Sequence, residues 1–185
     1  MSNDFPRGDI ELWDEFLKGD SSAFDMLMKK YYNDLFYYGQ KFSSDIELVK
    51  DCIQDVFLTL WKNRKNLSHT QFVKFYLLRS VRRQIAVCTE GESKFFSKHK
   101  LAFQDGSFTV NDKEVELITK ENLQQKVAQV EGLLNELPKR QQEIIFLRFY
   151  MDADATQISE ILQIKKQSVY NLLNEALKRL KSNHN

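Results

Sequence analysis

The chain has 185 residues, of which 42% are hydrophobic and 29% are charged. This length fits one large domain or two small ones, and the mixture excludes a wholly disordered chain because it supplies enough apolar material for a core. Six glycines and two prolines stand beside 14 phenylalanines. Scarce turn residues disfavour a β-sandwich or a barrel. The composition therefore predicts an all-α protein whose helices are packed by aromatic side chains.

The start of the chain and its cysteines point to the cytoplasm. Residues 1–9 lack the basic and then apolar pattern of a signal peptide, and no later run approaches the roughly 18 apolar residues of a membrane span. Cys52 and Cys88 are too few for a disulfide framework, and no Cys/His spacing is typical of a zinc site. We expect a cytoplasmic protein with two buried, reduced thiols and without a metal or other cofactor.

Charges of opposite sign are segregated along the chain, although the formal net charge is only +1. Between Asp45 and Asp55 four acids outnumber the single base Lys50, whereas no acid occurs from Lys62 to Thr89. The basic residues of that second stretch are Lys62, Arg64, Lys65, Lys74, Arg79, Arg82 and Arg83. The near-neutral sum therefore does not exclude a nucleic acid as a partner.

Apolar residues recur every three or four positions through the first half of the chain, which is typical of amphipathic helices. The predicted helices lie around residues 12–17, 24–42, 49–60 and 76–85. Ser21 or Ser22 is expected to cap the second helix, and a polar break at 63–70 separates the third from the fourth. Residues 1–89 are thus predicted to form an N-terminal helical bundle.

Residues 90–120 lose this periodicity, carry Gly91 and Gly106, and are predicted to be a linker. Helical spacing returns at residues 123–137, and Pro138 fits the first turn of the next helix. The side chains expected to form the buried side of that helix are Ile144, Ile145, Leu147 and Phe149.

The last part of the chain has the pattern of a helix-turn-helix. Asp154 and Gln157 have the spacing of a capping box that opens a short helix through Leu162, and a longer helix is predicted over 166–181 after a break at 163–165. The expected buried contacts are Ile158, Ile161, Leu162, Ile164, Val169, Leu172, Leu173 and Leu177. The excess of lysine and arginine favours phosphate contacts, although an ordinary helical hairpin with a solvated basic face has the same pattern.

Three stretches, read in order, resemble the extracytoplasmic-function group of bacterial RNA polymerase sigma factors. They are Leu17–Asp20 with Ala23, Phe24, Tyr31 and Tyr32; Asp51–Trp61 with Tyr76–Arg82; and Leu137–Arg148 leading into the helix-turn-helix. The resemblance implies sigma region 2 over 1–89 and a C-terminal four-helix module, sigma region 4, over 121–185. It also implies three partners: core RNA polymerase, promoter DNA and an anti-sigma factor that is often membrane-bound.

The resemblance implies a role for particular residues as well. Those that would meet the polymerase are Asp51, Gln54, Asp55 and Trp61. Those that would contact the melted minus-ten strand are Asn63, Arg64, Lys65, Asn66, His69, Lys74, Arg79, Arg82 and Arg83. Those that would face the minus-thirty-five duplex are Lys166, Gln167, Ser168, Tyr170, Asn171, Asn174, Glu175 and Lys178. Phe72, Phe75 and Tyr76 lie beside the minus-ten residues, and at least two of the three are expected to pack in the core.

Some positions depart from the family pattern. Gln163 replaces the usual turn glycine, Lys165 the usual capping serine, and Leu172 and Glu175 stand where arginines are common. Glu175 is therefore expected either to point to solvent or to accept a hydrogen bond from cytosine N4 in the major groove.

Two other classes of function are open to such a chain. A conventional helix-turn-helix regulator would bind duplex DNA without core polymerase, and the pattern at 51–61 argues against it. An enzyme finds no support, because the sequence has no P-loop, no nucleophile–base pattern and no metal-ligand cluster. We therefore expect no catalytic residues and no small-molecule substrate.

Overall fold

The structure is a computed structural model that describes residues 8–90, 103–104 and 121–182; of residues 90 and 121–127 it describes the backbone alone. Every regular element in these ranges is helical, as predicted. The elements are α1 (Asp9–Lys18), α2 (Ser21–Gly39), α3 (Ile46–Asn63), one 3-10 turn (Arg64–Asn66), α4 (Val73–Glu90), α5 (Glu121–Asn135), α6 (Lys139–Phe149), α7 (Ala155–Leu162) and α8 (Lys166–Ser182). Contacts group α1–α4 into one compact unit, and α5–α8 with the segment Lys41–Ser44 into a second.

Aspartates begin two helices of the first unit. The Asp20 carboxylate accepts hydrogen bonds from the backbone N–H groups of Ser22 and Ala23, at 2.8 and 3.1 Å, so Asp20 caps α2. The prediction of Ser21 or Ser22 as the cap was wrong, because both residues already lie inside the helix. Asp45 caps α3 in the same way. Each cap satisfies N–H groups that have no partner within the helix.

Aromatic side chains from three helices meet in the core of the first unit. Phe16 of α1 stacks on Phe24 of α2 with ring centroids 5.1 Å apart, and Phe24 meets Phe57 of α3 edge-on at 5.9 Å. Trp13 and Phe16 are almost completely buried. Offset and edge-on ring pairs of this kind add to the hydrophobic stabilisation of the bundle. The expectation of helices packed by aromatic residues is confirmed.

Helix α6 is the centre of the second unit, and its residues Gln141–Leu147 are all buried. Pro138 is the N-cap of α6, one residue before the predicted first-turn position, and its carbonyl accepts from the N–H of Gln141 at 2.7 Å. Phe149 was expected to be buried but is 62% exposed, whereas Phe146 is fully buried. The correction follows from its place at the last residue of α6, where the chain turns away.

The predicted linker lies almost entirely outside the described residues, Gly91 and Gly106 included. Glu90 is the last residue of α4, so that helix reaches into the predicted linker. Phe103 is described and buried, and its ring meets Phe146 edge-on at 5.8 Å within the second unit. At this point the linker contributes an aromatic side chain to a core.

The helix-turn-helix forms as predicted by α7, a turn and α8. The Asp154 carboxylate accepts from the N–H groups of Thr156 and Gln157, and the Gln157 side chain accepts from the Asp154 N–H at 2.7 Å, which completes the capping box. Gln163 ends α7 with a φ of 53°, in the left-handed region that its glycine-like position requires.

The buried contacts of the helix-turn-helix follow the prediction in part. Ile158, Ile161, Leu162 and Val169 are buried as expected, and Ile164, Leu172 and Leu173 are half-buried. Leu177 was predicted to be buried but is 47% exposed. Ala176 is buried in its place because it follows Val169 by seven residues, two helical turns along the same face.

Candidate binding surfaces

The outer face of α3 carries the residues predicted to meet the polymerase. Asp51, Gln54 and Asp55 are exposed and follow the three- and four-residue spacing of one helix face. The Asp55 carboxylate accepts a hydrogen bond of 3.2 Å from Gln84 of α4. Asp51 and Gln54 also line a groove of about 680 Å³ between α2 and α3. This face offers carboxylates beside an open groove.

Apolar side chains line the same groove. Met28 and Tyr32 come from α2, and Leu58 comes from α3. Tyr32 is 38% exposed and Leu58 is 48% exposed. An exposed apolar strip with charged residues along its edge is typical of a protein–protein contact.

Trp61, the fourth predicted docking residue, is half-buried inside the first unit. Its ring lies 5.1 Å from that of Phe24, and the guanidinium carbon of Arg64 lies 4.4 Å from its centroid. Arg64 also donates a hydrogen bond of 2.6 Å to the Trp61 carbonyl. Both side chains therefore pack within the unit, and Arg64 is held against α3.

The α3–α4 loop, residues 64–72, borders a second cavity. This cavity has a volume of about 370 Å³, and Asn63, Leu67 and Tyr76 are among its lining residues. Asn63, Lys65 and Asn66 are exposed at the end of α3 and in the 3-10 turn, and Arg79 and Arg83 are exposed along α4. These five side chains are among the exposed members of the predicted minus-ten set.

Three other members of that set contact protein partners. His69 Nδ1 lies 2.6 Å from an Asp14 carboxylate oxygen of α1. The Lys74 ammonium lies 2.9 Å from the Asp34 carboxylate of α2. Arg64, described above, is the third. The charged or polar groups of all three residues face neighbouring elements of the first unit.

Arg82 was predicted to contact a phosphate, but the structure places it in the core. It is only 3% exposed, between Leu78 and Ile85, which are fully buried. Positions 78, 82 and 85 share one face of a helix, so Arg82 lies on the core side of α4. Of the three neighbouring aromatic residues, Phe72 is 48% exposed, whereas Phe75 and Tyr76 are half-buried.

The second helix of the helix-turn-helix, α8, presents a polar stripe. The exposed members of the predicted minus-thirty-five set are Lys166, Gln167, Tyr170, Asn171, Asn174, Glu175 and Lys178, whereas Ser168 is half-buried. Gln167 donates a hydrogen bond of 3.1 Å to Asn171 one turn later. Glu175 accepts one of 3.2 Å from the Gln141 side chain of α6. The stripe carries side-chain amides along α8 and lysine near its C-terminal end. Amides are suited to hydrogen bonds with base edges, and lysine is suited to phosphates.

A polar cluster between α1 and α2 was missed by the sequence analysis. Asp9 accepts hydrogen bonds from Lys30 and from the hydroxyl of Tyr31. Burial disfavours the charged form of Asp9 and by itself would raise its pKa. The two hydrogen bonds and the positive charge of Lys30 outweigh this effect and hold the pKa of Asp9 below its ordinary value. Burial and the Asp9 bond raise the pKa of Tyr31. No periodic pattern relates Asp9 to α2, so the sequence carried no signal for the pair.

The two cysteines differ in exposure. Cys52 is buried. The pKa of its thiol is raised to about 12, with burial as the largest cause and a hydrogen bond with Cys88 as the second. Cys88 is exposed, which corrects the expectation of two buried thiols. Within the described residues, no group of three or more His, Cys, Asp or Glu side chains is arranged to hold a metal ion. In the same part of the chain no helix is long and apolar enough to cross a membrane.

Comparison with known proteins identifies the two units. The model of Sigma-70 region 2 matches residues 27–86, and the model of Sigma-70 region 4 matches residues 128–180. A comparison with curated protein sequences gives no match. Among solved structures, that of CnrH in complex with the cytosolic domain of CnrY matches with a TM-score of 0.60 and 16% identity, over 94% of this chain and 95% of that chain. At this identity the likeness supports a shared fold.

The two matched regions cover more than half of the chain in the predicted order, and the chain belongs to the sigma-70 family of bacterial RNA polymerase sigma factors. Its region 4 is of the kind typical of the extracytoplasmic-function group, which confirms the predicted family. As a sigma factor it directs core RNA polymerase to specific promoters and assists transcription initiation.

Proposed function

We propose that residues 1–89 dock on core polymerase and hold the melted minus-ten strand, and that residues 121–185 read the minus-thirty-five duplex. In this proposal the protein acts in the cytoplasm, uses no cofactor or small-molecule substrate, and catalyses no reaction itself. The observation that carries the proposal is the presence of two exposed surfaces on the first unit, the acidic face of α3 and the acid-free α3–α4 region, and of one on the second unit, the polar stripe of α8.

Core polymerase is the proposed partner of the α3 face. Asp51 and Asp55 supply carboxylates for basic partner residues, and the α2–α3 groove supplies apolar area beside them. Rim charges of this kind mainly set association rate and specificity, whereas apolar contacts supply affinity. Trp61 would support the end of α3 from inside the unit, since its ring packs against Phe24.

The minus-ten strand is the proposed ligand of the α3–α4 region. Lys65, Arg79 and Arg83 are exposed where a single-strand backbone needs cations. The cavity beside Asn63 has room for an unstacked base, and the Asn63 amide offers both a donor and an acceptor to its edge. Arg82 is not part of this proposal because it is buried.

The minus-thirty-five duplex is the proposed ligand of α8. Asn171 and Asn174 are exposed one turn apart and match the N6 and N7 groups of adenine, whereas Lys178 supports the backbone. Glu175 would accept from cytosine N4 with the carboxylate oxygen that Gln141 does not bind.

An anti-sigma factor is proposed as a further partner. CnrH, which shares this fold, has been solved in complex with the cytosolic domain of CnrY. The exposed apolar strip of Tyr32 and Leu58 supports a contact of this kind, because a protein covering it would exclude core polymerase.

Binding to core polymerase separates this proposal from the rival function. A conventional helix-turn-helix regulator would bind duplex DNA alone, whereas a sigma factor requires the holoenzyme for promoter recognition. We expect the full chain to be retained by immobilised core polymerase and to bind its promoter strongly only in that complex. Promoter binding of equal strength without core would favour the regulator.

The docking face is tested by Asp55→Lys. We expect core affinity to fall by about tenfold or more, because the change places a cation where partner cations are proposed. Helical circular dichroism should be unchanged, since Asp55 is exposed. Glu11→Lys reverses the charge of an exposed residue on α1 and serves as the control. Unchanged core affinity in Asp55→Lys, with Glu11→Lys also unchanged, would contradict the assignment of this face.

A further inference from the structure

The α3–α4 loop is fastened to α1, which lies 55 positions earlier in the chain. The Trp13 indole N–H donates a hydrogen bond of 3.1 Å to the Ser68 carbonyl. The neighbouring Asp14 carboxylate lies 2.6 Å from His69 Nδ1. Two consecutive residues of α1 therefore hold two consecutive residues of the loop.

The other hydrogen bonds of the loop backbone in the described residues are local. The Leu67 N–H donates to the Arg64 carbonyl at 3.2 Å, and the Phe72 N–H donates to the Thr70 hydroxyl at 3.1 Å. Such bonds fix single turns and leave the path of residues 67–70 relative to the bundle undetermined. The hydrogen bond from Trp13 and the contact of Asp14 with His69 are long-range and tie this path to α1.

Trp13 also reaches the opposite wall of the cavity beside the loop. Its ring meets that of Tyr76 edge-on, with centroids 5.3 Å apart, and Tyr76 and Leu67 both line the cavity. Because Trp13 is only 1% exposed, its position is fixed by the surrounding core. A single buried side chain thus contacts both the loop and α4.

The end of α1 contacts the start of the loop as well. Gly19 terminates α1 with a φ of 100°, and a Cβ at this position would lie 3.7 Å from Arg64 Nε. Arg64 is the first residue of the 3-10 turn. Helix α1 therefore approaches the loop both at its beginning and around Ser68.

We infer that Trp13 and Asp14 are positioning residues for minus-ten base selection, and that His69 serves by binding Asp14 rather than by contacting DNA. The inference rests on the proposed role of the α3–α4 loop. Trp13 and Asp14 would touch no DNA themselves; they would hold the loop and the cavity wall in the geometry that selects a base. Pre-organisation of this kind increases discrimination between bases, because binding of the correct base then requires no free energy to order the loop.

The test is selection of minus-ten sequences from a random promoter library with reconstituted holoenzyme. Trp13→Phe keeps the ring but removes the N–H donor, and Asp14→Asn removes the charge that faces His69. We expect each to lower discrimination at one minus-ten position by about three- to tenfold, with core affinity and minus-thirty-five preference unchanged. Glu11→Gln makes the same charge change on an exposed part of α1 and should leave discrimination intact.

A charge swap gives a readout that a loss of folding cannot imitate. Asp14→His and His69→Asp should each lower discrimination, and the double variant should restore at least part of it because the pair is rebuilt in reverse. Failure of the double variant to recover would show that His69 contacts DNA directly and would overturn the inference.

Variants at the end of α3 and in the loop separate this inference from the proposed function. If Asn63→Ala and Asn66→Ala leave minus-ten preference unchanged, the proposed reading by the loop fails, and the inference fails with it. If these variants change the preference while Trp13→Phe and Asp14→Asn do not, the loop reads the base and only the positioning role of α1 is overturned.

Discussion

The side-chain amide of Gln141 on α6 donates a hydrogen bond of 3.2 Å to the Glu175 carboxylate on α8. Gln141 is only 3% exposed, so the donor is fixed from inside the unit. Sequence reasoning left Glu175 either in solvent or on a base edge, and this protein donor was not foreseen. Because a carboxylate has two oxygens, one is bound to Gln141 and the other remains available to DNA.

Glu175→Gln tests the reading of cytosine. The variant keeps an oxygen acceptor for Gln141 but loses the charge, and we expect preference for one minus-thirty-five cytosine to weaken by about 1–3 kcal/mol. Selection of upstream elements with the holoenzyme measures this preference. A Glu175→Ala variant that binds every upstream sequence more tightly, with preference unchanged, would show that the carboxylate only repels phosphates.

Gln141→Met tests the cost of a buried polar atom. Among the described side chains, Gln141 Oε1 is buried without a hydrogen-bond partner. Burying such an atom costs about 1–3 kcal/mol, and the bond to the Glu175 carboxylate contributes about 1.5–3 kcal/mol, so the two effects offset and the free energy of unfolding should change little. Urea denaturation of the full chain provides the measurement.

Gln142→Met, at the next position, is the matched control. Gln142 is fully buried, and its amide donates to the carbonyls of Asn135 and Leu137 at 3.0 and 2.9 Å. We expect this variant to lose about 2 kcal/mol or more, because two carbonyl groups lose their donor. Equal losses in the two variants would contradict the distinction between them.

Gln163→Gly tests the turn of the helix-turn-helix. Gln163 has a φ of 53°, a conformation that costs a non-glycine residue free energy. We expect glycine to stabilise the second unit by up to about 1 kcal/mol, measured by the midpoint of urea unfolding. Glu160→Gly inside α7 should instead destabilise by about 1 kcal/mol. A loss at both positions would show that the Gln163 side chain contributes more than its backbone costs.

Helix positions and the turn were predictable from sequence because both depend on neighbours within a few residues. The capping box of Asp154 is a local feature and was foreseen, and the left-handed Gln163 stands where the family pattern has a turn glycine. The pairs Asp14–His69 and Asp34–Lys74 were not foreseen, since periodicity gives the apolar side of a helix but not which helices meet. Arg82 was misplaced for another reason: the resemblance placed it among the phosphate contacts, whereas its position between Leu78 and Ile85 lies on the buried side of α4.

Asp9→Asn tests the polar cluster between α1 and α2. The folded-state pKa of Asp9 lies below the ordinary value of 3.8, so the carboxylate stabilises the fold above that value and the contribution is lost as pH falls through the folded pKa. We expect the variant to be less stable at neutral pH and to converge with the parent chain as the pH falls below 3.8. Asp25→Asn, an exposed change on α2, controls for the loss of one carboxylate. A difference that persists at low pH would contradict the ionic origin.

Alkylation of the thiols tests their different environments. At neutral pH Cys88 should react with iodoacetamide, whereas Cys52, buried with a pKa of about 12, should react at least about a hundredfold more slowly. Mass spectrometry of the modified peptides identifies the site. Cys88→Ser should abolish the fast reaction, and Cys52→Ala should leave it unchanged. Fast modification of Cys52 in the folded chain would contradict its burial.

The contact between Trp13 and Ser68 also constrains how the protein folds while it is being made. Helix α1 leaves the ribosome first, but its partner carbonyl follows 55 residues later, and synthesis at about 5–20 residues per second separates the two by several seconds. A ten-residue helix is marginal alone in water. Until Trp61 and Tyr76 emerge, the nascent chain therefore carries Phe16 and Trp13 without these rings, which meet them in the folded unit.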